Sequence, residues 1–329
     1  MLGPIAWRTP PRHYGPWELV TSLITEGLVE RGVDVTLFAT LDSITKAALD
    51  GVAPNGYEEN DTLDGRVWEA LHVGHALARS GEFDLIHNHV DWLPLAFSEL
   101  SAAPMVTTIH GFSGANILPA YRRGRSAYVA ISDSDRSPDL DYLGTVHHGI
   151  DLDGLPADPV GGDDLILFGR IHPDKGTDLA IEIARRAGRR LVMCGIVQDR
   201  AYFEELIEPR IDGDKVIYLG SVGPDKRAGI LGSGLALLHP IRFAEPFGLS
   251  VVESMACGTP VIAYRKGSMP EVVDEGVTGF LVEDADEAVI AVDRAANLDR
   301  AACAQRARER FSRDRMVDDY LEIYRKIVS

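Results

Sequence analysis

Short apolar runs alternate with longer amphipathic stretches along the whole chain, a rhythm that few folds can accommodate. Runs of roughly five to seven β-branched or apolar residues, each followed by roughly ten to sixteen residues of helical periodicity, are typical of βαβ units. The runs form two sets, so the sequence predicts an α/β protein with two doubly wound parallel-sheet domains of about 150 residues each. The expected strands are Val33–Ala39, Phe83–His87, Met105–His110, Ala127–Ser132 and Thr145–His148 in the first set, and Leu165–Ile171, Arg190–Gly195, Lys215–Gly220, Leu235–His239 and Pro260–Tyr264 in the second.

A stretch rich in Pro, Gly and Asp, Leu155–Asp164, lies between the two sets and has no hydrophobic periodicity, which predicts a linker. We therefore expect one domain over 1–154 and a second over 155–311. Before the first expected loop, Trp7–Gly15, the chain offers too few residues for a full strand. Either the first strand is truncated or the sheet holds a very short one.

The composition argues against several classes of protein. Apolar residues make up 45% of the chain and charged residues 25%, and no apolar run approaches the ~20 residues that span a bilayer. No segment before the first helix has the pattern of a signal peptide, so we expect a cytoplasmic protein. The cysteines Cys194, Cys257 and Cys303 are widely spaced and form no Cys-x-x-Cys pair, which argues against a disulfide framework and a structural zinc site.

The formal net charge is −17 and is spread over both halves of the chain. Such a surface repels nucleic acid and anionic lipid at long range, so we expect no nucleic-acid partner, no membrane association, and a monomer or homodimer. The cluster Arg122, Arg123 and Arg125 could touch a surface but is most simply a solvated turn. A phosphate-bearing ligand must then be held by a few local cations and backbone amides.

One expected strand-to-helix loop, Gly169–Gly176, combines two cations with a helix start. Arg170 and Lys175 precede an expected helix over Thr177–Ala187, whose first amides have no partner within the helix and whose dipole is positive at that end. This combination predicts an anion site. The alternative is an ordinary loop with two solvated cations.

A second loop leads into a helix that carries an acidic residue on its apolar side. If the helix begins near Gly248, then Leu249, Val252 and Ala256 form one stripe, and Glu253 falls inside it. A carboxylate shielded from water needs a polar partner. A pair of sugar hydroxyls would serve, and the alternative is a cap on a neighbouring loop backbone.

A third loop, Pro10–Glu18, carries Gly15 before a helix expected over Trp17–Arg31 and is the weakest of the three signals. The chain has no Gly-x-Gly-x-x-Gly after a strand and no Gly-Lys-Ser/Thr. Nicotinamide cofactors and P-loop ATP chemistry therefore have no support.

Taken in order, these motifs resemble those of the retaining GT-B glycosyltransferases of family 4, and the likeness covers nearly the whole chain. The motifs that carry it are Gly169-Arg170, Lys175-Gly176, Glu245-Pro246-Phe247-Gly248 with Glu253, Gly258–Ile262, Pro270–Val273 and Gly276–Phe280. The resemblance implies the GT-B fold, in which two Rossmann-like domains face each other across a cleft. It also implies that the final helix, expected from the apolar stripe in Arg313–Val328, returns to the first domain, so that 312–329 complete it.

The resemblance assigns roles on the donor side residue by residue. Arg170 and Lys175 would hold the donor diphosphate and stabilise the departing nucleotide. Glu253 would accept hydrogen bonds from the ribose hydroxyls, and Glu245 would lie beside the transferred sugar as a positioning group. The backbone that reaches the sugar hydroxyls and phosphate would come from Phe247, Gly248 and Leu249.

On the first domain, the resemblance implies that His110 faces the sugar. Gly15 matches the N-terminal glycine loop of the family and would contact the donor, but Pro16 stands where many relatives have a second glycine, so no backbone amide is available there. His87 and His89 share one strand face and could suggest a metal site, which is the less favoured interpretation of the pair.

The expected function is transfer of a hexosyl group from a nucleoside diphosphate sugar to an acceptor hydroxyl, with retention at the anomeric carbon and with neither metal nor other cofactor. A UDP-sugar is the first choice of donor and GDP-mannose the second, and the acceptor is unknown. Two other classes stay open: a sugar-nucleotide epimerase of GT-B fold, and a non-catalytic subunit that binds a sugar nucleotide.

Overall fold

The computed structural model describes residues 1–111 and 114–328, and the chain divides into two compact units. The first unit comprises Met1–Gly149 and Arg313–Ser329, and the second comprises Ile150–Ser312. The helices are α1 Pro16–Glu30, α2 Gly65–Ala78, α3 Gly114–Arg123, α4 Thr177–Arg186, α5 Arg200–Tyr202, α6 Pro224–Gly232, α7 Leu249–Ala256, α8 Met269–Val272, α9 Ala285–Ala295, α10 Arg300–Phe311 and α11 Arg313–Val328. No helix within the described ranges combines the length and apolarity needed to cross a bilayer.

The strands pair in parallel throughout both units. They are β1 Thr36–Phe38, β2 Ala48–Asp50, β3 Ile86–Asn88, β4 Met105–Ile109, β5 Ala127–Ala130, β6 Tyr142–Thr145, β7 Asp164–Phe168, β8 Leu191–Cys194, β9 Val216–Tyr218, β10 Gly234–His239, β11 Val261–Tyr264 and β12 Gly279–Val282. In the first unit β1 pairs with β2, and a second sheet has the order β3-β4-β5-β6. In the second unit the order is β12-β11-β10-β7-β8-β9, which is that of a doubly wound sheet.

A very short strand connects the two sheets of the first unit. Leu2 forms parallel bridges to both Phe38 and Asn88, and its N–H donates to the His87 carbonyl at 2.8 Å. Leu2 is fully buried. A single bridging residue therefore links the two sheets, in the segment where the sequence offered too few residues for a full strand.

The stretch Leu155–Asp164, predicted to link the two domains, lies wholly within the second unit, because the chain passes from the first unit to the second between Gly149 and Ile150. Leu155 is buried, and the N–H of Asp158 donates to the Cys257 carbonyl at 2.9 Å. The Asp158 carbonyl in turn accepts from Arg300 Nε at 2.9 Å. The composition correctly predicted an irregular loop before β7, but these hydrogen bonds fix that loop to the second unit.

Each predicted strand overlaps an observed one, although Thr145–His148 does so only at Thr145, because β6 begins at Tyr142. β6 lies at the edge of its sheet, and its Leu143 is exposed, so it lacks the apolar run that identifies a strand. The sequence missed β2 and β12, which are also edge strands. β2 is largely exposed and shows no apolar run, whereas β12 is buried but only 4 residues long, and so short a run does not by itself identify a strand.

The last helix, α11, packs against α1 within the first unit. Gly27 of α1 leaves room for Val317, since a Cβ at Gly27 would lie 2.5 Å from Val317 Cγ2. Arg31 Nε donates to Asp318 Oδ1 at 2.7 Å on the same contact. The hydroxyl of buried Tyr320 lies 2.8 Å from Thr108 Oγ1, which connects α11 to β4.

Candidate functional site

In the second unit the strand order reverses between β7 and β10, and ligands of doubly wound sheets bind at the carboxyl ends of the strands that flank such a reversal. The loop after β7 carries Arg170 and Lys175, and the loop after β10 carries Glu245. Gly176 allows these loops to meet. Its φ is +67°, and a Cβ there would lie 2.1 Å from the carbonyl oxygen of Pro240, so a larger residue does not fit.

Glu245 is the most heavily engaged carboxylate of these loops. Lys175 Nζ lies 2.6 Å from Glu245 Oε2, and His239 Nε2 lies 3.2 Å from the same oxygen. Burial alone would raise the pKa of Glu245, but the neighbouring His239 and Lys175 lower it to about 2. Glu245 is therefore ionised at neutral pH, and both contacts fall on Oε2.

Arg170 lies at the rim of the same site. Its guanidinium contacts the side chain of Gln198, and its Nη2 lies 3.4 Å from Asp174 Oδ2. A second arginine, Arg242, bonds both oxygens of Asp178 at 2.7 Å and thereby connects the loop after β10 to the start of α4. This bidentate pair holds the two loops in register.

Glu253 lies on the buried face of α7, as its position in the apolar stripe predicted, and is 5% exposed. Its partner is Arg227 of α6, whose Nη1 lies 2.7 Å from Glu253 Oε1. The pKa of Glu253 is raised by burial, and Arg227 opposes that shift. The carboxylate thus pairs with an arginine and does not cap a loop backbone.

The start of α7 presents backbone amides. Gly248 precedes the helix with φ +89° and offers no side-chain cap. A Cβ there would lie 2.9 Å from Met269 Cε, so the position favours glycine. Phe247 is buried, and its carbonyl accepts from Ser268 Oγ at 3.0 Å. The amides that follow, at Leu249 and Ser250, begin a helix and have no carbonyl partner within it.

In the first unit His110 lies at the end of β4 in a row of histidine rings. Its Nε2 lies 2.8 Å from His89 Nδ1, and its Nδ1 lies 3.3 Å from His148 Nε2. Trp17 stacks on the His110 ring with a centroid separation of 5.3 Å. Burial lowers the pKa of His110 to about 3 and holds that of His89 well below its ordinary value, so both rings are neutral at pH 7.

His87 belongs to a separate hydrogen-bonded group. Its Nδ1 lies 2.6 Å from the Tyr324 hydroxyl, and its Nε2 lies 2.7 Å from Thr108 Oγ1. His87 and His89 therefore bond to different partners. Across residues 1–111 and 114–328, no group of three or more His, Cys, Asp or Glu side chains is placed to hold a metal ion.

Gly15 ends the loop before α1 and has φ +145°. Pro16 occupies the first helical position, and the carboxyl of Glu18 accepts a hydrogen bond from the Trp7 N–H at 3.1 Å. Glu18 is 2% exposed, and burial raises its pKa to about 7. A carboxyl group of the protein therefore lies beside Gly15, where the sequence predicted donor contacts.

The structure places the predicted residues of the second unit on the loops and helices that follow β7 and β10. The two predicted residues of the first unit, Gly15 and His110, belong to the other compact unit. Arg227, His239 and Arg242 were missed. His239 ends a strand, a position that could have drawn attention because the end of β10 leads directly to Glu245. Arg227 and Arg242 carry no local pattern, since their partners are set by tertiary contacts.

Comparison with known proteins identifies the class of protein to which this fold and these residues belong. Residues 158–310 match the family described as glycosyl transferases group 1. HepE from Anabaena, solved in complex with UDP and glucose, superposes with a TM-score of 0.73 at 18% identity, over 93% of this chain and 94% of that one. The fold is that of the GT-B glycosyltransferases.

Relatives in sequence identify the family. A D-inositol 3-phosphate glycosyltransferase from Saccharomonospora viridis is 30% identical, over 77% of this chain and 72% of its own length. An uncharacterised 41.2 kDa protein of the Klebsiella pneumoniae cps region is 32% identical, over 49% of this chain and 46% of its own length. The chain belongs to the glycosyl transferases group 1 family.

Proposed function

We propose that this protein transfers a hexosyl group from a nucleoside diphosphate sugar to an acceptor hydroxyl with retention at the anomeric carbon. The observation that carries the proposal is the arrangement around Glu245, where Lys175 and His239 both approach Oε2. The other oxygen, Oε1, is then the natural acceptor for a sugar hydroxyl. Glu245 positions the sugar and does not act as the nucleophile.

The diphosphate would be held by Arg170, Lys175 and the first amides of α7. Lys175 Nζ carries three N–H bonds, so it can bond Glu245 and a phosphate oxygen at once. Cleavage of the bond from the anomeric carbon to the phosphate places negative charge on the leaving diphosphate. Two cations and a positive helix end stabilise that charge, and the chemistry has no need of a metal.

The sugar acquires positive charge as the same bond breaks, and one candidate residue in each unit is compatible with that charge. Glu245 is ionised and attracts that charge. His110 is neutral, so it can accept a hydrogen bond without repelling the sugar. For His110 we retain the role that the family resemblance assigns, beside the transferred sugar.

The nucleoside would bind over α6 and α7. Glu253 has one oxygen paired with Arg227, which opposes the rise in pKa that burial causes and leaves the second oxygen for ribose hydroxyls. For the base we propose uridine first and guanosine, as in GDP-mannose, second. The HepE complex with UDP and glucose supports this order by analogy of fold alone. Cytoplasmic location and a monomeric or homodimeric state remain part of the proposal.

A thermal-shift and hydrolysis screen over UDP-, GDP- and ADP-sugars tests the proposal, with wild type, Arg170→Ala and Glu253→Ala compared. Arg200→Ala and Glu205→Ala are matched controls at exposed positions of the same unit. We expect one donor to stabilise the wild type and both controls, and to lose that effect in both site variants. Stabilisation that survives both substitutions would show that the donor binds elsewhere.

Further measurements test the stereochemistry of transfer, the need for a metal and the epimerase alternative. The anomeric configuration of the product, measured by proton NMR, should match that of the donor, and a chelator should leave the rate unchanged. Conversion of the donor in the absence of any acceptor, without hydrolysis, would instead identify an epimerase.

A further inference from the structure

The start of α1 is poorly suited to an anionic ligand. Pro16 removes the first amide that a phosphate would use. The carboxyl of Glu18 already occupies the helix end, because it accepts from the Trp7 N–H and lies where a Cβ on Gly15 would be 2.9 Å from Oε2. A carboxyl group of the protein itself therefore lies where an anionic ligand would approach this helix end.

The arginines of the loop before α1 bond to neighbouring groups of the protein. Arg12 forms ion pairs with Glu59 at 2.7 Å and with Asp42 at 3.0 Å. Arg8 donates from Nε to the carbonyl of Pro10 at 3.0 Å. These contacts hold the loop in place and reduce the positive charge it can offer to a phosphorylated ligand.

The same segment is rich in aromatic rings. Trp17 is half-buried, and it stacks on His110 at 5.3 Å with an interplanar angle of 21°. Trp7 and Tyr14 meet edge to face at 6.1 Å. An indole supported on one face by a second ring presents a rigid apolar surface, and the negative face of an aromatic ring attracts the C–H bonds of a pyranose.

The support behind Trp17 is itself fixed and uncharged. His110 is held from both ring nitrogens by His89 and His148. Because burial keeps the His110 ring neutral, the stack offers shape and dispersion but no charge. A flat, neutral platform beside a carboxyl group favours a neutral ring over a phosphate.

We propose that Trp17 is the acceptor-binding platform of this enzyme and that the acceptor is an uncharged saccharide or glycoside. This inference rests on the proposed glycosyltransferase function and names the acceptor class for it. A phosphorylated polyol is disfavoured, because Pro16 supplies no amide and the carboxyl of Glu18 already lies at this helix end.

The test uses the full chain with its best donor and an acceptor panel of methyl glycosides, neutral oligosaccharides, sugar phosphates and inositol phosphate. Wild type, Trp17→Leu and Trp17→Phe are compared, and Trp92→Leu serves as a matched control because Trp92 is an exposed tryptophan of the same unit. We expect transfer to neutral saccharides, a rise of tenfold or more in acceptor KM for Trp17→Leu, and a donor KM that changes less than threefold. Trp17→Phe should recover most of the acceptor affinity, since it keeps a ring.

Intrinsic fluorescence of the wild type gives a second readout that does not depend on the leucine variant being folded. Quenching by a neutral glycoside that is lost in Trp17→Phe but kept in Trp92→Leu supports the platform. An unchanged acceptor KM in Trp17→Leu, or a wild type that glycosylates only phosphorylated acceptors, overturns the inference while leaving the donor chemistry intact. Failure of the wild type to bind or cleave any sugar nucleotide overturns the proposed function and this inference with it.

Discussion

Lys175 Nζ lies 2.6 Å from Glu245 Oε2, so a lysine and a glutamate 70 positions apart in the chain form one ion pair at the sheet reversal. Both side chains are largely shielded, at 17% and 10% exposed. The pair helps to explain how a buried carboxylate keeps its charge, and in the proposed function it supplies a cation for the leaving diphosphate.

Lys175→Ala should lower kcat/KM for glycosyl transfer by 100-fold or more, a loss of about 3 kcal/mol in transition-state stabilisation. The cation contributes to charge that develops only as the bond breaks, so kcat should carry most of the loss. Lys215→Ala, at an exposed position of the same unit, is the control and should match wild type. Steady-state kinetics with saturating acceptor measure the effect, and a loss below threefold would contradict the role.

Arg227 and Glu253 should behave as one energetic unit. Their side chains are 17% and 7% exposed, and removing one partner of a buried ion pair costs about 3 kcal/mol because the other charge is left unpaired. Arg227→Met should therefore be strongly destabilised, and Arg227→Met/Glu253→Gln should recover most of the stability. Urea denaturation of the four proteins of the cycle gives the coupling energy, with Arg200→Met as the exposed control. Additive effects of the two substitutions would argue against the pairing.

Glu18 should make the stability of the protein fall as pH rises. Burial raises its folded pKa from 4.5 to about 7. A carboxyl with a raised pKa imposes no penalty below its unfolded pKa. The penalty grows between about pH 4.5 and 7 and is constant above that range. Glu18→Gln removes it, so its stability relative to wild type should be greater at pH 8 than at pH 4.5 by up to about 3 kcal/mol.

Urea denaturation of wild type and Glu18→Gln at the two pH values measures this difference, and the histidines, which are common to both proteins, cancel in the comparison. Glu58→Gln, at an exposed position of the same unit, should show no such dependence. An equal effect of Glu18→Gln at both pH values would mean that the carboxyl is not shielded from water.

Gly27 should tolerate alanine only when Val317 is made smaller. The added Cβ would lie 2.5 Å from Val317 Cγ2, and overpacking of this kind costs about 1–3 kcal/mol. Gly27→Ala should therefore lower Tm, whereas in a Val317→Ala background the same change should raise it through helix propensity. Gly74→Ala is the matched control in α2, where nothing lies within 4 Å of the added carbon, and it should be stabilising. If Gly27→Ala is stabilising in the wild-type background, α1 and α11 pack less closely than described.

Local pattern was enough to predict where several candidate residues of the second unit lie. Helical periodicity identified Glu253 as buried, and the cations before α4 identified the loop of Arg170 and Lys175, because these signals lie within a few residues of each other. The identity of Glu253's partner could not be read, since Arg227 is brought to it by the packing of α6 on α7.

The contacts of the first unit were harder to predict, because tertiary packing also decides which of its residues meet. His89 and His148 come to His110 from different parts of the chain, and only the sheet brings these strand ends together. The composition of Leu155–Asp164 indicated a flexible linker, yet Asp158 and its hydrogen bonds fix it. Sequence pattern reports what a segment prefers alone, and tertiary contacts decide the outcome.

The position of α11 has a consequence for synthesis. The ribosome releases Met1–Gly149 long before Tyr320 and Tyr324, whose hydroxyls bond Thr108 and His87 in the finished unit. Until α11 is synthesised, the α11-facing side of α1 therefore stays uncovered in Met1–Gly149. The second unit, Ile150–Ser312, is contiguous and can fold as it leaves the ribosome. A nascent chain stalled shortly before Arg313 should bind chaperones through that uncovered side.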